Sequence, residues 1–129
     1  MSDVEKPFHP PEGSSHAAFL RYLRTKPTVD RIENLDSQRV LLVRNKLGNL
    51  MVFVTEIYIA GKADVAEILS LNDRIDAIVL LGVMNSYTGE AKDFCERHGI
   101  GLFTFNEFMG AVYYRGKKFI AYTPPEKKK

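Results

Sequence analysis

The chain has 129 residues, 45% of them hydrophobic and 26% charged, which is enough apolar material for one core and not for two. Its 18 basic and 16 acidic residues leave a net charge of +2, too near balance for composition alone to imply a nucleic-acid partner. The single cysteine, Cys95, excludes an intrachain disulfide, and no apolar run approaches the ~20 residues of a membrane helix, so a reducing, cytoplasmic setting without membrane contact is the expectation.

Residues 1–14 carry Pro7, Pro10 and Pro11 and no apolar stretch of the signal-peptide kind, which predicts a disordered or loosely attached segment. Ser14 or Ser15 is a natural cap for a helix to about Arg24, with Ala18, Phe19, Tyr22 and Leu23 on one side; Lys26-Pro27 ends it. Thr28 to Leu35 reads as a short strand or a helical turn. Arg39–Arg44, Leu50–Ile59 and Asp76–Met84 contain the unbroken runs Val40-Leu41-Leu42-Val43, Met51-Val52-Phe53-Val54 and Ala77-Ile78-Val79-Leu80-Leu81. Such runs predict strands covered on both faces. The polar turn 45–49 makes the first two a hairpin.

Val65, Ile68, Leu69 and Leu71 predict a helix over 63–71 that crosses to the third strand. A second helix over 89–98 faces the sheet with Ala91, Phe94 and Cys95 and ends at Gly99. A short strand, 101–105, a helix capped by Asn106 and running to about Val112, and a last strand, 118–122, complete the chain. The expected whole is one α/β domain over 15–123 with a basic tail, 124–129, ending in Lys127-Lys128-Lys129. Its mixed sheet begins with a hairpin or meander and carries crossover helices on both faces.

Two stretches add a family likeness. Val54-Thr55-Glu56-Ile57-Tyr58 is followed closely by Asp64-Val65-Ala66-Glu67-Ile68. Asn85-Ser86-Tyr87-Thr88-Gly89-Glu90-Ala91 continues to Glu96-Arg97-His98-Gly99-Ile100. Together with the element order they resemble the PD-(D/E)XK, restriction-endonuclease-like nucleases, nearest their Mrr-like and Holliday-junction-resolvase-like branches, over about residues 39–112. That family core is a helix, a three-stranded meander, a crossover helix and a fourth strand, with a further helix and strand in the Mrr-like branch.

The resemblance implies metal-assisted phosphodiester hydrolysis, in which two carboxylates hold a divalent cation and a lysine two residues beyond one of them stabilises charge. Glu56 stands at the carboxylate position and is the candidate metal ligand. Tyr58 stands where the lysine belongs, and the preceding strand offers no aspartate. Lys62 is the candidate that reaches back to complete a rearranged catalytic pair with Glu56.

This incomplete set predicts a degenerate nuclease fold, without cofactor, that binds DNA, RNA or a protein partner. Two alternatives are an active endonuclease using Mg²⁺ and a Rossmann-like module with its ligand site at Asn85 to Glu90. Candidate nucleic-acid contacts are Tyr58, whose ring can stack on a base, Thr88 at a strand-to-helix turn, and the basic run Arg115, Lys117 and Lys118 beside Tyr113-Tyr114. Each has an ordinary structural counterpart: a rim tyrosine, a helix cap, a solvated turn. His98 reads as a helix-end residue and Cys95 as core.

Overall fold

The structure is a computed structural model and describes residues 9–125. Helix α1 (Gly13–Leu23) leads into a meander of β1 (Val29–Asn34), β2 (Arg39–Arg44) and β3 (Leu50–Thr55). A two-residue strand β4 (Ile59–Ala60) and helix α2 (Lys62–Leu71) carry the chain to β5 (Ala77–Leu80). After β6 (Ser86–Tyr87) come α3 (Gly89–Arg97), β7 (Gly101–Thr104), α4 (Phe105–Ala111) and α5 (Lys117–Ile120). The main sheet has five strands in the order β1-β2-β3-β5-β7. The meander pairs antiparallel, while β3, β5 and β7 run parallel.

Alternation along the central strands builds two cores. Val52 and Val54 of β3 and Ala77 and Val79 of β5 join Phe19, Leu23, Phe108 and Phe119 from α1, α4 and α5 on one face. Phe53, Ile78 and Leu102 meet Val65, Ile68, Ala91 and Cys95 from α2 and α3 on the other. The domain is therefore α/β with helices on both faces of a mixed sheet. An all-parallel sheet, the expectation for a Rossmann-like module, is not what the meander forms.

Of the two readings for 28–35 the strand is the one formed, as β1, which bonds to β2 at the sheet edge. Several other sequence expectations are corrected. The run 50–59 is broken: β3 ends at Thr55 and β4 pairs in parallel with β6. The cause is a partner distant in sequence: Asn85 Oδ1 takes the Ile57 N–H (3.0 Å) and Tyr58 O takes the Ser86 N–H (2.9 Å), pulling the chain off the main sheet. β2 is fully covered on only one face: Val40 and Leu42 are buried, Leu41 and Val43 half-buried. Leu71 is exposed rather than inward.

Helix ends also differ from expectation. Glu12, not Ser14 or Ser15, occupies the α1 cap position, with no side-chain cap bond. Thr104, not Asn106, caps α4, in a reciprocal box with Glu107. The expected last strand, 118–122, is the helical turn α5. Gly116 at φ +64° starts that turn, which delivers Phe119 onto Phe103 and Phe108 while Lys117 and Lys118 face outward.

Of the expected loose N-terminal segment, residues 1–8 lie outside the described residues, as do 126–129 of the basic tail. The part that is described is anchored. His9 O accepts bonds from Glu56 N (3.1 Å) and Thr55 Oγ1 (2.7 Å), and α1 starts at Gly13.

Candidate functional site

Parallel strands place their carboxyl ends together, and open α/β sheets offer their ligand crevices there. Glu56 lies at that end, one residue past β3. Its carboxylate accepts from the Glu12 N–H (3.1 Å), so the segment 9–12 crosses the end of the strand on both sides of this residue. β2 begins opposite, since Arg39 pairs with Phe53. The residue just before it, Gln38, is buried and donates to Val54 O (3.1 Å). In that register Gln38 stands opposite Val54, and the carboxylate nearest in register to Glu56 is that of Asp36, which accepts from Gln38 N (2.9 Å), Arg39 N (2.8 Å) and Arg39 Nε (2.9 Å).

Lys62 is the first residue of α2, but its ammonium lies over the Phe94 ring, 5.7 Å from the centroid. The ion pairs among the described residues are Arg31–Glu33 and Arg39–Asp36, so Glu56 and Lys62 are not joined. Tyr58 is 67% exposed. No group of three His, Cys, Asp or Glu side chains among the described residues is arranged to hold a metal ion.

Thr88 accepts from Ala91 N (3.0 Å) and caps α3, and Asn85 Oδ1 is occupied by the N–H groups of Ile57 and Gly82, both at 3.0 Å. These groups shape the loops around a groove of about 460 Å³, lined in part by Ser14, Ala18, Leu81, Val83 and Phe105. His98 ends α3 with Nδ1 donating to Phe94 O (2.8 Å), the helix-end role expected of it.

A polar cluster that the sequence analysis missed joins α3, β7 and α4. Tyr87 Oη donates to Glu107 (2.8 Å), which also accepts Thr104 N (3.0 Å). Lys92 donates to Leu102 O (2.6 Å) and lies 4.5 Å from the Phe103 centroid. Burial, with Glu107 beside it, raises the Tyr87 hydroxyl far above the usual phenol range, and burial lowers Lys92. Every member is engaged in holding the elements together. Thr104-x-x-Glu107 was a legible signal, a capping box in sequence. The contribution of Tyr87 was not, because it depends on a two-residue strand.

Arg115, Lys117 and Lys118 lie at the other end of the sheet. β2 runs against β3, so its last residue, Arg44, lies beyond the start of β3. The Arg44 guanidinium holds the segment after α4 there, donating to Val112 O (3.0 Å) and Tyr114 O (2.6 Å). Tyr58, Lys62 and Thr88 are therefore separated from the basic run and do not share a surface with it.

Comparison with known proteins matches no family model, no curated sequence and no solved structure.

Proposed function

We propose that the chain is a restriction-endonuclease-like domain that binds nucleic acid without cleaving it. The element order supports the fold part of this reading. A helix, a three-stranded meander, a crossover helix, a parallel strand, and a further helix and parallel strand follow in the succession the resemblance implies. The observation that carries the functional part is the chemistry around Glu56: its carboxylate accepts the Glu12 N–H, the Asp36 carboxylate nearest to it in register is engaged by Arg39, and Lys62 is turned onto Phe94.

Those residues do not fit Mg²⁺. A hard cation gives up hydration only for several oxygen ligands, and carboxylates supply the charge that makes the exchange favourable. Tyr58 is no substitute for a lysine, since a neutral phenol that points to solvent stabilises little developing charge. No hydrolytic step is derived for this site.

Purified protein with Mg²⁺ or Mn²⁺ is predicted to leave double-stranded, single-stranded and branched DNA intact. Thermal unfolding is predicted to shift by less than ~1 °C on adding either ion, as expected when ligand stays far below its dissociation constant. Robust cleavage abolished by Glu56→Ala would overturn the reading in favour of an active nuclease; cleavage that survived that change would place the chemistry elsewhere.

A second reading, a protein-binding module, is favoured by one observation. Tyr58, Ile59, Val83 and Met84 are all exposed around the β4–β6 pair. Exposed apolar side chains gathered in one place mark interaction surfaces more often than scattered ones do.

A further inference from the structure

We infer that single-stranded nucleic acid is bound at the end of the sheet remote from Glu56, on a basic surface whose stacking platforms are Tyr113 and Tyr114. This rests on the nucleic-acid-binding reading above, and adds the location of the site and the form of its ligand.

Three segments meet at that end. Asn45 N bonds Thr28 O (2.8 Å), so the β2–β3 turn lies against the loop after α1. Lys26 Nζ lies 5.7 Å from the Tyr113 centroid, which brings that loop to the segment after α4. Arg44, buried beneath, donates to Leu47 O, Gly48 O, Val112 O and Tyr114 O and fixes the turn to the segment. Residues 24–26, 44–48 and 112–120 contain none of the chain's 16 acidic residues. They contribute Arg24, Lys26, Lys46, Arg115, Lys117 and Lys118 to one end of a chain whose net charge is only +2. Asp76, just before β5, acts on Arg44 from the same end, but the charged residues of the three segments themselves are basic alone, which is the electrostatic footprint of a phosphate-binding surface.

The tyrosines decide between strand forms. Tyr113 and Tyr114 are 43% and 42% exposed, although each has a partner on its ring: Lys26 over Tyr113, and Tyr122 stacked on Tyr114 at 5.5 Å. Rings supported in this way are held in place and still open to a ligand. A duplex presents only its backbone and groove edges, and its bases are already stacked on one another. An unpaired base offers a free π-face, and stacking tolerates any base. Beside the stacked pair, Tyr114, Lys118 and Tyr122 line a depression of about 410 Å³ with room for a base next to a cation.

The test is fluorescence anisotropy of a labelled oligo-dT of about 15 nucleotides, against a duplex of equal length, over a salt series. Each variant is first shown by thermal unfolding to be folded. Oligo-dT is expected to bind more tightly than duplex, with affinity falling as salt rises. Lys117→Glu with Lys118→Glu should weaken binding at least about tenfold and reduce the log–log salt slope by roughly 1.4, two contacts at ~0.7 each. Tyr113→Leu should weaken binding by about tenfold with the slope unchanged, the signature of lost stacking.

Equal or tighter duplex binding would overturn the single-strand assignment. Loss of binding in Lys62→Glu but not in the double-lysine variant would overturn the location while leaving nucleic-acid binding standing. No binding of any nucleic acid at low salt would remove both this site and the reading it rests on, and capture of anionic vesicles in its place would identify a lipid surface as the partner.

Discussion

Arg44 is the most constrained charge in the described chain. It is buried, its guanidinium donates to four carbonyls, and burial lowers its pKa with only Asp76 acting to raise it. Carbonyl ligands satisfy its hydrogens without neutralising its charge, so it contributes both cohesion and positive field. Arg44→Met keeps the length of the side chain and removes the donors. The predicted cost is about 3 kcal/mol in urea unfolding, of the order found when charge-assisted bonds are stripped from a buried site; a loss under ~0.5 kcal/mol would contradict the bonding described. Cys95 gives a pH-dependent test. Burial in the α3 core pushes its thiol up to about 11, with Lys92 opposing and Glu96 adding. An unfolded thiol titrates near ~8.5. Its contribution is complete below that value and is lost as pH rises from ~8.5 through about 11, because the unfolded state releases its proton first. The unfolding midpoint of wild type should fall more steeply over that window than that of Cys95→Val. Parallel profiles would show that the thiol stays at its ordinary value.

At the scale of elements, the strands of strongest apolar character and the helices α2 and α3 were legible because period and burial agree there. Val65 and Ile68, or Ala91 and Cys95, face the same core that the spacing assigned them to. What was not legible depended on partners distant in sequence. β3 stops at Thr55 because the Ile57 N–H donates to the Asn85 side chain, and 117–120 becomes helical so that Phe119 can enter a core shared with Phe19 and Phe108. At the candidate site, the lone carboxylate and the missing lysine could be read directly. The engagement of Asp36 by Arg39, and the turning of Lys62 onto Phe94, needed the register and the helix orientation. The edge strand β7 shows a further device that no local pattern announces: Lys92 donates to Leu102 O, and a charged side chain lying on an edge strand discourages pairing with another chain. At the start of that strand, a Cβ on Gly101 would collide with the ring of Phe103, which is fully buried. Gly101→Ala is predicted to destabilise by roughly 1–3 kcal/mol, measurable by denaturant unfolding; a neutral or stabilising result would mean that the ring can shift.

Across the whole molecule, the two ends of the sheet have different characters. The carboxyl end of the parallel strands carries Glu56, the exposed apolar residues around β4 and β6, and loops whose polar groups are used in capping and turning the chain. The opposite end gathers lysines, arginines and tyrosines around Arg44. A nuclease needs substrate phosphates and metal-binding carboxylates in one place. Here the groups suited to phosphate and the lone carboxylate are held apart by the length of the sheet, which is the arrangement expected of a domain that binds without cutting. The most direct measurement follows a labelled oligonucleotide held at saturating protein with Mn²⁺, sampled over time on native and denaturing gels in parallel. The account predicts a shifted complex on the native gel and a full-length strand on the denaturing gel at every time point; accumulation of cleaved strand that disappears in Glu56→Ala would contradict it.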